Sequence, residues 1–169
     1  MDKIKKQGCL VLLDLQQGFI NYNKEIIPNI KSLLNNYKFG HIVSTKNITT
    51  PNGPFYELLN HKEIIEKDEI MKLNPFVKNI SERVFYKNKN SCFTSEFIAY
   101  VKENNIEKLY FTGMSDSACI LAAVLDCFEN NIDFEIFINQ NSISSNKKSE
   151  KDIEYMLKVV AGEDKLIYY

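Results

Sequence analysis

The sequence predicts an α/β protein, a three-layer αβα sandwich around a mostly parallel, six-stranded, Rossmann-like sheet. Short apolar runs alternate with longer amphipathic stretches along the whole chain. Several of the short runs are apolar on both faces, which is typical of strands that helices cover on two sides. An alternating strand–helix order also favours right-handed crossovers, which make the connected strands parallel.

The strands and helices follow from these patterns. Apolar runs predict six strands, at residues 9–14, 41–45, 83–86, 108–112, 134–138 and 165–168. Helical spacing predicts four helices, at residues 25–37, 95–104, 116–130 and 149–161. Thr94 is the expected N-cap of the second helix, in which Phe97, Ile98 and Val101 share one face. Residues 46–79 contain three of the four prolines and predict a long excursion with short helices near 55–59 and 62–67.

Length and composition are those of one globular domain covering residues 1–169, with 44% hydrophobic and 25% charged residues. The formal net charge is -1, which disfavours a nucleic-acid partner. Since the chain has neither an apolar run that could cross a bilayer nor a signal peptide, we expect a cytoplasmic protein without a membrane partner. The four cysteines have no CxxC spacing and are expected to be free thiols.

Three polar residues follow the carboxyl ends of predicted strands: Asp14, Lys87 and Cys119. Sites in open α/β sheets form beyond these ends, so we expect the three to share one site. Cys119 falls in the first turn of a predicted helix, where free N–H groups and the helix dipole stabilise a thiolate. Each residue also has a structural interpretation: Cys119 as a small core residue, Asp14 as a turn residue and Lys87 as an exposed loop residue.

The other candidate sites are weaker. His41 and His61 are the only histidines and lack the spacing of a metal site, and the chain has no glycine-rich phosphate loop. We therefore predict neither a metal nor a cofactor. Cys9 and Cys127 are interpreted as packing residues, whereas Cys92 is a second candidate nucleophile.

Three motifs together resemble the isochorismatase-like cysteine hydrolase superfamily. Residues 12–19 read LLDLQQGF and are similar to the family's apolar strand followed by Asp-x-Gln-x-x-Phe. Residues 87–93 read KNKNSCF and resemble the family's Lys followed by Ser-Ala-Phe, with Cys92 in place of the Ala. The third motif runs from Gly113 through Cys119 and on to Phe128. Each motif is weak alone, but three in the right order form a fairly specific pattern.

The resemblance implies a catalytic triad of Asp14, Lys87 and Cys119, with an oxyanion hole formed by the backbone N–H groups of Asp116 and Cys119. It also implies a non-proline cis peptide between Ser115 and Asp116, and a homo-oligomer, either a dimer or a tetramer. The expected reaction is hydrolysis of a C–N bond in a small molecule through a Cys thioester. The possible substrate pocket comprises Gln16, Phe19, Phe55, Tyr56, Phe93 and Ser115. The four aromatic residues could equally belong to the core, and Gln16 could alternatively support Asp14 or hold the turn.

Departures from the family pattern leave the substrate open. Nicotinamidases carry a metal-binding Asp-x-His group after the second strand, where residues 44–48 here read STKNI. Isochorismatases proper have a small residue at the position of Cys119, so vinyl-ether chemistry is disfavoured. The alternatives are a non-amide small substrate, a catalytically idle binding or assembly module, and a thiol redox protein that pairs Cys92 with Cys119.

Overall fold

The computed structural model describes residues 3–20, 24–60, 71–114, 116–138 and 150–169. Six strands form its central sheet: β1 (Lys3–Leu13), β2 (Tyr37–Asn47), β3 (Arg83–Lys87), β4 (Lys108–Gly113), β5 (Asp133–Ile138) and β6 (Leu166–Tyr168). Their order across the sheet is β3-β2-β1-β4-β5-β6. Every pairing is parallel, so the predicted α/β sandwich is confirmed with a sheet that is entirely parallel.

Helices cover both faces of this sheet. They are α1 (Gln17–Ile20), α2 (Ile26–Asn36), α3 (Pro54–Glu57), α4 (Pro75–Ile80), α5 (Ser95–Glu103), α6 (Leu121–Glu129) and α7 (Glu150–Ala161). The core cluster on one face holds residues of α5, α6 and α7, and the cluster on the other face holds residues of α2 and α4. No helix within the described ranges combines the length and apolarity needed to cross a membrane.

Strand β1 shows why the central strands read as continuous apolar runs. Leu10 and Leu12 belong to one core cluster, whereas Cys9, Val11 and Leu13 belong to the other. All five are 0% exposed. The side chains alternate between two buried faces, so both faces require apolar residues.

Several boundaries differ from the sequence predictions. β1 begins earlier than expected, because residues 3–8 are largely polar and carry little apolar signal. β2 also begins earlier, at Tyr37, which was predicted to be the last residue of a helix. The short helices α1 and α4 were not predicted, since four and six residues are too few to show helical periodicity. The expected helix at 116–130 is instead a π-helical turn, Asp116–Ile120, followed by α6. The prediction of a helix at 62–67 and the start of the helix at 149 fall outside the described residues.

Two N-caps form as their sequences suggest. The Thr94 hydroxyl accepts a hydrogen bond from the Phe97 N–H at 3.3 Å at the start of α5, which confirms the predicted cap. Asn74 accepts from the Phe76 N–H at 2.9 Å at the start of α4, with Pro75 in the first turn. Both caps satisfy backbone donors that lack an intrahelical partner.

The topology places a crevice at the centre of the sheet. β1 and β4 are neighbours in the sheet although β2 and β3 come between them in the chain. Crossovers lead away from this point in opposite directions, which opens a cleft beyond the carboxyl ends of the two strands. Gly113 ends β4 with a φ of 138°, and a Cβ there would lie 2.3 Å from the Leu13 carbonyl oxygen. Glycine therefore allows the two strand ends to meet.

Candidate active site

Asp14 lies at the carboxyl end of β1, where the chain turns away from the sheet. Its φ is 51°, in the left-handed region that Asp tolerates better than most residues. The Gln16 N–H donates to the Asp14 carbonyl oxygen at 2.8 Å and closes the turn. The residue is 1% exposed. A closed turn therefore holds the carboxyl group at the buried edge of the sheet.

Lys87 brings a cation to this carboxylate. It is the last residue of β3 and is 2% exposed. Its Nζ lies 2.6 Å from Asp14 Oδ2. The same ammonium donates to the carbonyl oxygens of Lys89 and Asn90, each at 3.0 Å. Lys87 is therefore buried and hydrogen-bonded at the end of a strand, and its interpretation as an exposed loop residue is wrong.

Cys119 approaches both charges from the π-helical turn before α6. Its Sγ lies 3.0 Å from Asp14 Oδ2 and 3.4 Å from Lys87 Nζ. The residue is 7% exposed. π-Helical turns are rare and often lie at functional sites. The structure thus brings together the three side chains that the sequence assigned to one site.

The surroundings of Cys119 favour the neutral form of its thiol. Burial and the Asp14 carboxylate raise its pKa to about 12, against the opposing effect of Lys87. Burial alone would lower the pKa of Lys87, but the Asp14 carboxylate and the hydrogen bonds to Asp14 and Cys119 hold it above its ordinary value. Desolvation and the neighbouring carboxylate therefore outweigh, in the resting site, the stabilisation of a thiolate that the sequence predicted at the helix terminus. The site instead holds an Asp14–Lys87 ion pair beside a protonated thiol.

Thr45 is a fourth participant that sequence reasoning missed. Its hydroxyl donates to Asp14 Oδ1 at 2.7 Å and accepts from the Asp14 N–H at 3.1 Å. Thr45 is 0% exposed, so both bonds are shielded from water. The available signal was a hydroxyl residue near the carboxyl end of an otherwise apolar strand, beside the strand that carries Asp14.

Gln16 connects segments of the chain around the turn. Its side-chain Nε2 donates to the carbonyl oxygens of Asn47 and Met71, both at 3.0 Å. Its Oε1 accepts from the Asn47 N–H at 2.8 Å. These contacts favour holding the turn over supporting the carboxylate, and the place of Gln16 in the substrate pocket stays a prediction.

The aromatic residues expected in the pocket differ in their surroundings. Phe93 packs edge-on against Phe97 with ring centroids 5.5 Å apart. It also lines a cavity of about 630 Å³ whose lining contains none of the three candidate catalytic residues. Phe55 is buried, whereas Phe19 and Tyr56 are half-buried. Their pocket role stays a prediction.

Two further predictions concern the approach to the nucleophile turn. Ser115, with the expected cis peptide, lies outside the described residues. Asp116 and Cys119 both lie in the π-helical turn, and their role as oxyanion-hole donors stays a prediction.

The remaining cysteines are buried in the core. Cys9, Cys92 and Cys127 are 0% exposed, and burial raises the pKa of each thiol. All are free thiols. Complete burial disfavours Cys92 as a second nucleophile. Among the residues that the structure describes, no group of three His, Cys, Asp or Glu side chains could hold a metal ion.

Solved structures share this fold. An isochorismatase-like hydrolase from Alkaliphilus metalliredigens superposes with a TM-score of 0.77 at 13% identity, covering 96% of this chain and 94% of that one. N-carbamoylsarcosine amidase from Thermoplasma acidophilum gives a TM-score of 0.71 at 14% identity, covering 96% and 95%. A nicotinamidase from Bacillus subtilis gives 0.71 at 15% identity, covering 96% and 100%. At these identities the likeness establishes the fold.

Sequence comparison establishes the family. "Isochorismatase family protein 2A" from Dictyostelium discoideum is 27% identical over 153 residues, which cover 86% of this chain and 70% of that protein. The family model of the isochorismatase domain matches residues 8–160, a span that includes all three candidate catalytic residues. The chain therefore belongs to the isochorismatase domain family.

Proposed function

We propose that this protein is a cysteine hydrolase that cleaves a C–N bond of amide type in a small molecule. The observation that carries the proposal is the mutual contact of Asp14, Lys87 and Cys119, with Sγ 3.0 Å from Oδ2 and Nζ 2.6 Å from the same oxygen. A nucleophile, a base within hydrogen-bond distance and a group that orients the base form the arrangement used in covalent catalysis. A buried charge pair is not needed for stability, because apolar residues of similar volume often stabilise a core as well.

The first step is attack by sulfur. Asp14 takes the Cys119 proton as Sγ bonds to the substrate carbonyl carbon, so a reactive thiolate exists only during the reaction. The raised pKa of Cys119 fits this order, because the proton leaves only when a base in contact accepts it. The ammonium of Lys87 stabilises the negative charge that sulfur gains.

The second half of the reaction returns this proton and releases the acid. The tetrahedral oxyanion accepts hydrogen bonds from the backbone N–H groups of Asp116 and Cys119. Such donors contribute about 3–4 kcal/mol each where one has been removed by mutation. Collapse breaks the C–N bond, and Asp14 protonates the leaving nitrogen. Asp14 then removes a proton from water, which attacks the thioester. The C–S bond breaks, Asp14 returns the proton to Sγ, and the carboxylic acid leaves.

The substrate is a small amide or ureido compound. The names of two structural neighbours, a nicotinamidase and an N-carbamoylsarcosine amidase, suggest which compounds to test first. A non-amide small substrate would use the same nucleophile and remains the alternative activity. A catalytically idle module is less favoured, because folding alone requires no such set of buried polar side chains.

The test measures ammonia release from nicotinamide, benzamide, acetamide and N-carbamoyl amino acids. Wild-type protein is compared with Cys119→Ala and with the matched control Cys127→Ala, whose thiol lies deeper in the same helical segment. We expect turnover to disappear in Cys119→Ala and to persist in Cys127→Ala. Mass spectrometry of the wild-type protein during turnover should detect an acyl adduct on Cys119. Unchanged turnover in Cys119→Ala would reject the proposal.

A further inference from the structure

Asn47 is a further polar residue at the edge of the sheet that carries the candidate active site. It is the last residue of β2 and pairs in register with Lys87 of β3. It lies two residues beyond Thr45, whose hydroxyl bonds to Asp14, and side chains two apart along a strand share a face.

The path of the Lys87 side chain indicates where Asn47 lies relative to the Asp14–Lys87 ion pair. β2 lies between β1 and β3 in the sheet. Lys87 must therefore reach past the end of β2 to place its Nζ 2.6 Å from Asp14 Oδ2. Asn47 ends the strand that this side chain crosses. Register and strand order thus put Asn47 at the same carboxyl edge of the sheet as the ion pair.

Among the described residues, none donates a hydrogen bond to the side-chain oxygen of Asn47, and this Oδ1 atom is buried. The hydrogen bonds between Gln16 and Asn47 use the backbone N–H and carbonyl groups of Asn47, not its side chain. The ammonium of Lys87 already faces three oxygen acceptors, on Asp14, Lys89 and Asn90. A buried acceptor without a donor lowers stability, so its presence at a site calls for an explanation.

We propose that Asn47 Oδ1 accepts a hydrogen bond from an N–H of the bound substrate, which makes Asn47 the residue that selects amides and ureido compounds over esters. The inference rests on the proposed function. An acceptor oxygen requires a donor, and a primary or secondary amide nitrogen carries one where an ester oxygen does not. Sites built to pair with a substrate N–H discriminate strongly against analogues that lack it.

The test compares amides with esters of the same acid in the full-length protein. The pairs are nicotinamide with methyl nicotinate and benzamide with methyl benzoate. For Asn47→Ala we expect kcat/KM to fall about 10- to 100-fold for the amides and less than about 3-fold for the esters. Asn79→Ala, at an exposed position of α4, is the matched control and should change neither value.

Thermal unfolding separates substrate binding from a structural role. Because Oδ1 has no partner in the described fold, Asn47→Ala should unfold at the wild-type temperature or above it. A structural role would lower that temperature. Asn47→Leu keeps the side-chain volume without an acceptor and should show the same selective loss for the amides, if the alanine variant does not fold.

Three outcomes would overturn the inference. One is an equal loss for amides and esters, and another is a lowered unfolding temperature in both Asn47 variants. Either result, with turnover still dependent on Cys119, would defeat the role of Asn47 alone. The third is hydrolysis of none of the amides by the wild-type protein, which would reject the proposed function and this inference with it.

Discussion

Replacing Lys87 with Met should strongly destabilise the fold. The ammonium and the Asp14 carboxylate lie 2.6 Å apart, with their side chains 0% and 2% exposed. Without the cation, a buried carboxylate keeps only the Thr45 hydroxyl and the Cys119 thiol as described donors. Breaking a buried pair from one side costs about 3–5 kcal/mol of unfolding free energy. In a domain of this size that corresponds to a fall in Tm of about 6–20 °C.

A double-mutant cycle isolates the interaction between Lys87 and Asp14. Urea unfolding at neutral pH, followed by circular dichroism, gives the unfolding free energy of wild type, Lys87→Met, Asp14→Asn and the double variant. The double variant has no unpaired charge, so its loss should be smaller than the sum of the two single losses by about 2 kcal/mol.

Lys165→Met is the matched control. Its Nζ lies 2.7 Å from Asp133 in a pair whose side chains are 31% and 48% exposed, and exposed pairs contribute less than about 1 kcal/mol. Strictly additive losses of unfolding free energy in the cycle would refute the description of the site as a buried ion pair. A Lys87→Met variant as stable as Lys165→Met would refute it too.

Two further predictions concern the strand ends and alkaline pH. Gly113→Ala should lower the unfolding free energy by at least about 2 kcal/mol, because its Cβ would meet the Leu13 carbonyl oxygen at 2.3 Å, and a wild-type Tm would contradict this. The Cys119 thiol has an ordinary pKa of 9.0 and a pKa of about 12 in the fold, so above pH 9 the unfolded chain loses this proton first and stability falls. Lys87 acts in the same direction, since its stabilisation is complete below the ordinary lysine pKa and is lost as pH rises through its higher folded value. Urea unfolding from pH 7.5 to 10.5 should show a shallower fall for Cys119→Ala, and identical slopes would contradict the assignment.

Much of the fold could be predicted because it depends on local composition. The central strands are buried on both faces, and they therefore appear in the sequence as uninterrupted apolar runs. The first residues of β1 carry lysines and glutamine, so pairing with β2 rather than apolar content makes them strand. The π-helical turn was not predictable, because one additional residue in a turn leaves no periodic signal. The single-domain organisation and the homo-oligomer stay predictions.

The residues of the candidate site could be predicted from the sequence, but the protonation of the Cys119 thiol could not. Asp14, Lys87 and Cys119 follow strand ends in a parallel sheet, and this topology gathers such residues at one edge. Whether the thiol is charged depends on burial and on distances of a few ångströms, which the sequence does not encode locally. The sequence likewise does not encode the contacts of Thr45 and Asn47 locally, because these contacts depend on the register of β2 with its neighbouring strands.

β3 is an edge strand of the sheet, which makes the candidate active site sensitive to local unfolding of that strand. Asp14 and Cys119 are anchored beside the interior strands β1 and β4, whereas Lys87 belongs to a five-residue strand with one neighbour. Fraying of β3 would move the Lys87 ammonium away, whereas the Asp14 carboxylate and the Cys119 sulfur would stay in place. Amide hydrogens of β3 should then exchange with solvent sooner than those of β1, and catalytic competence should disappear in partial denaturation before the central fold is lost.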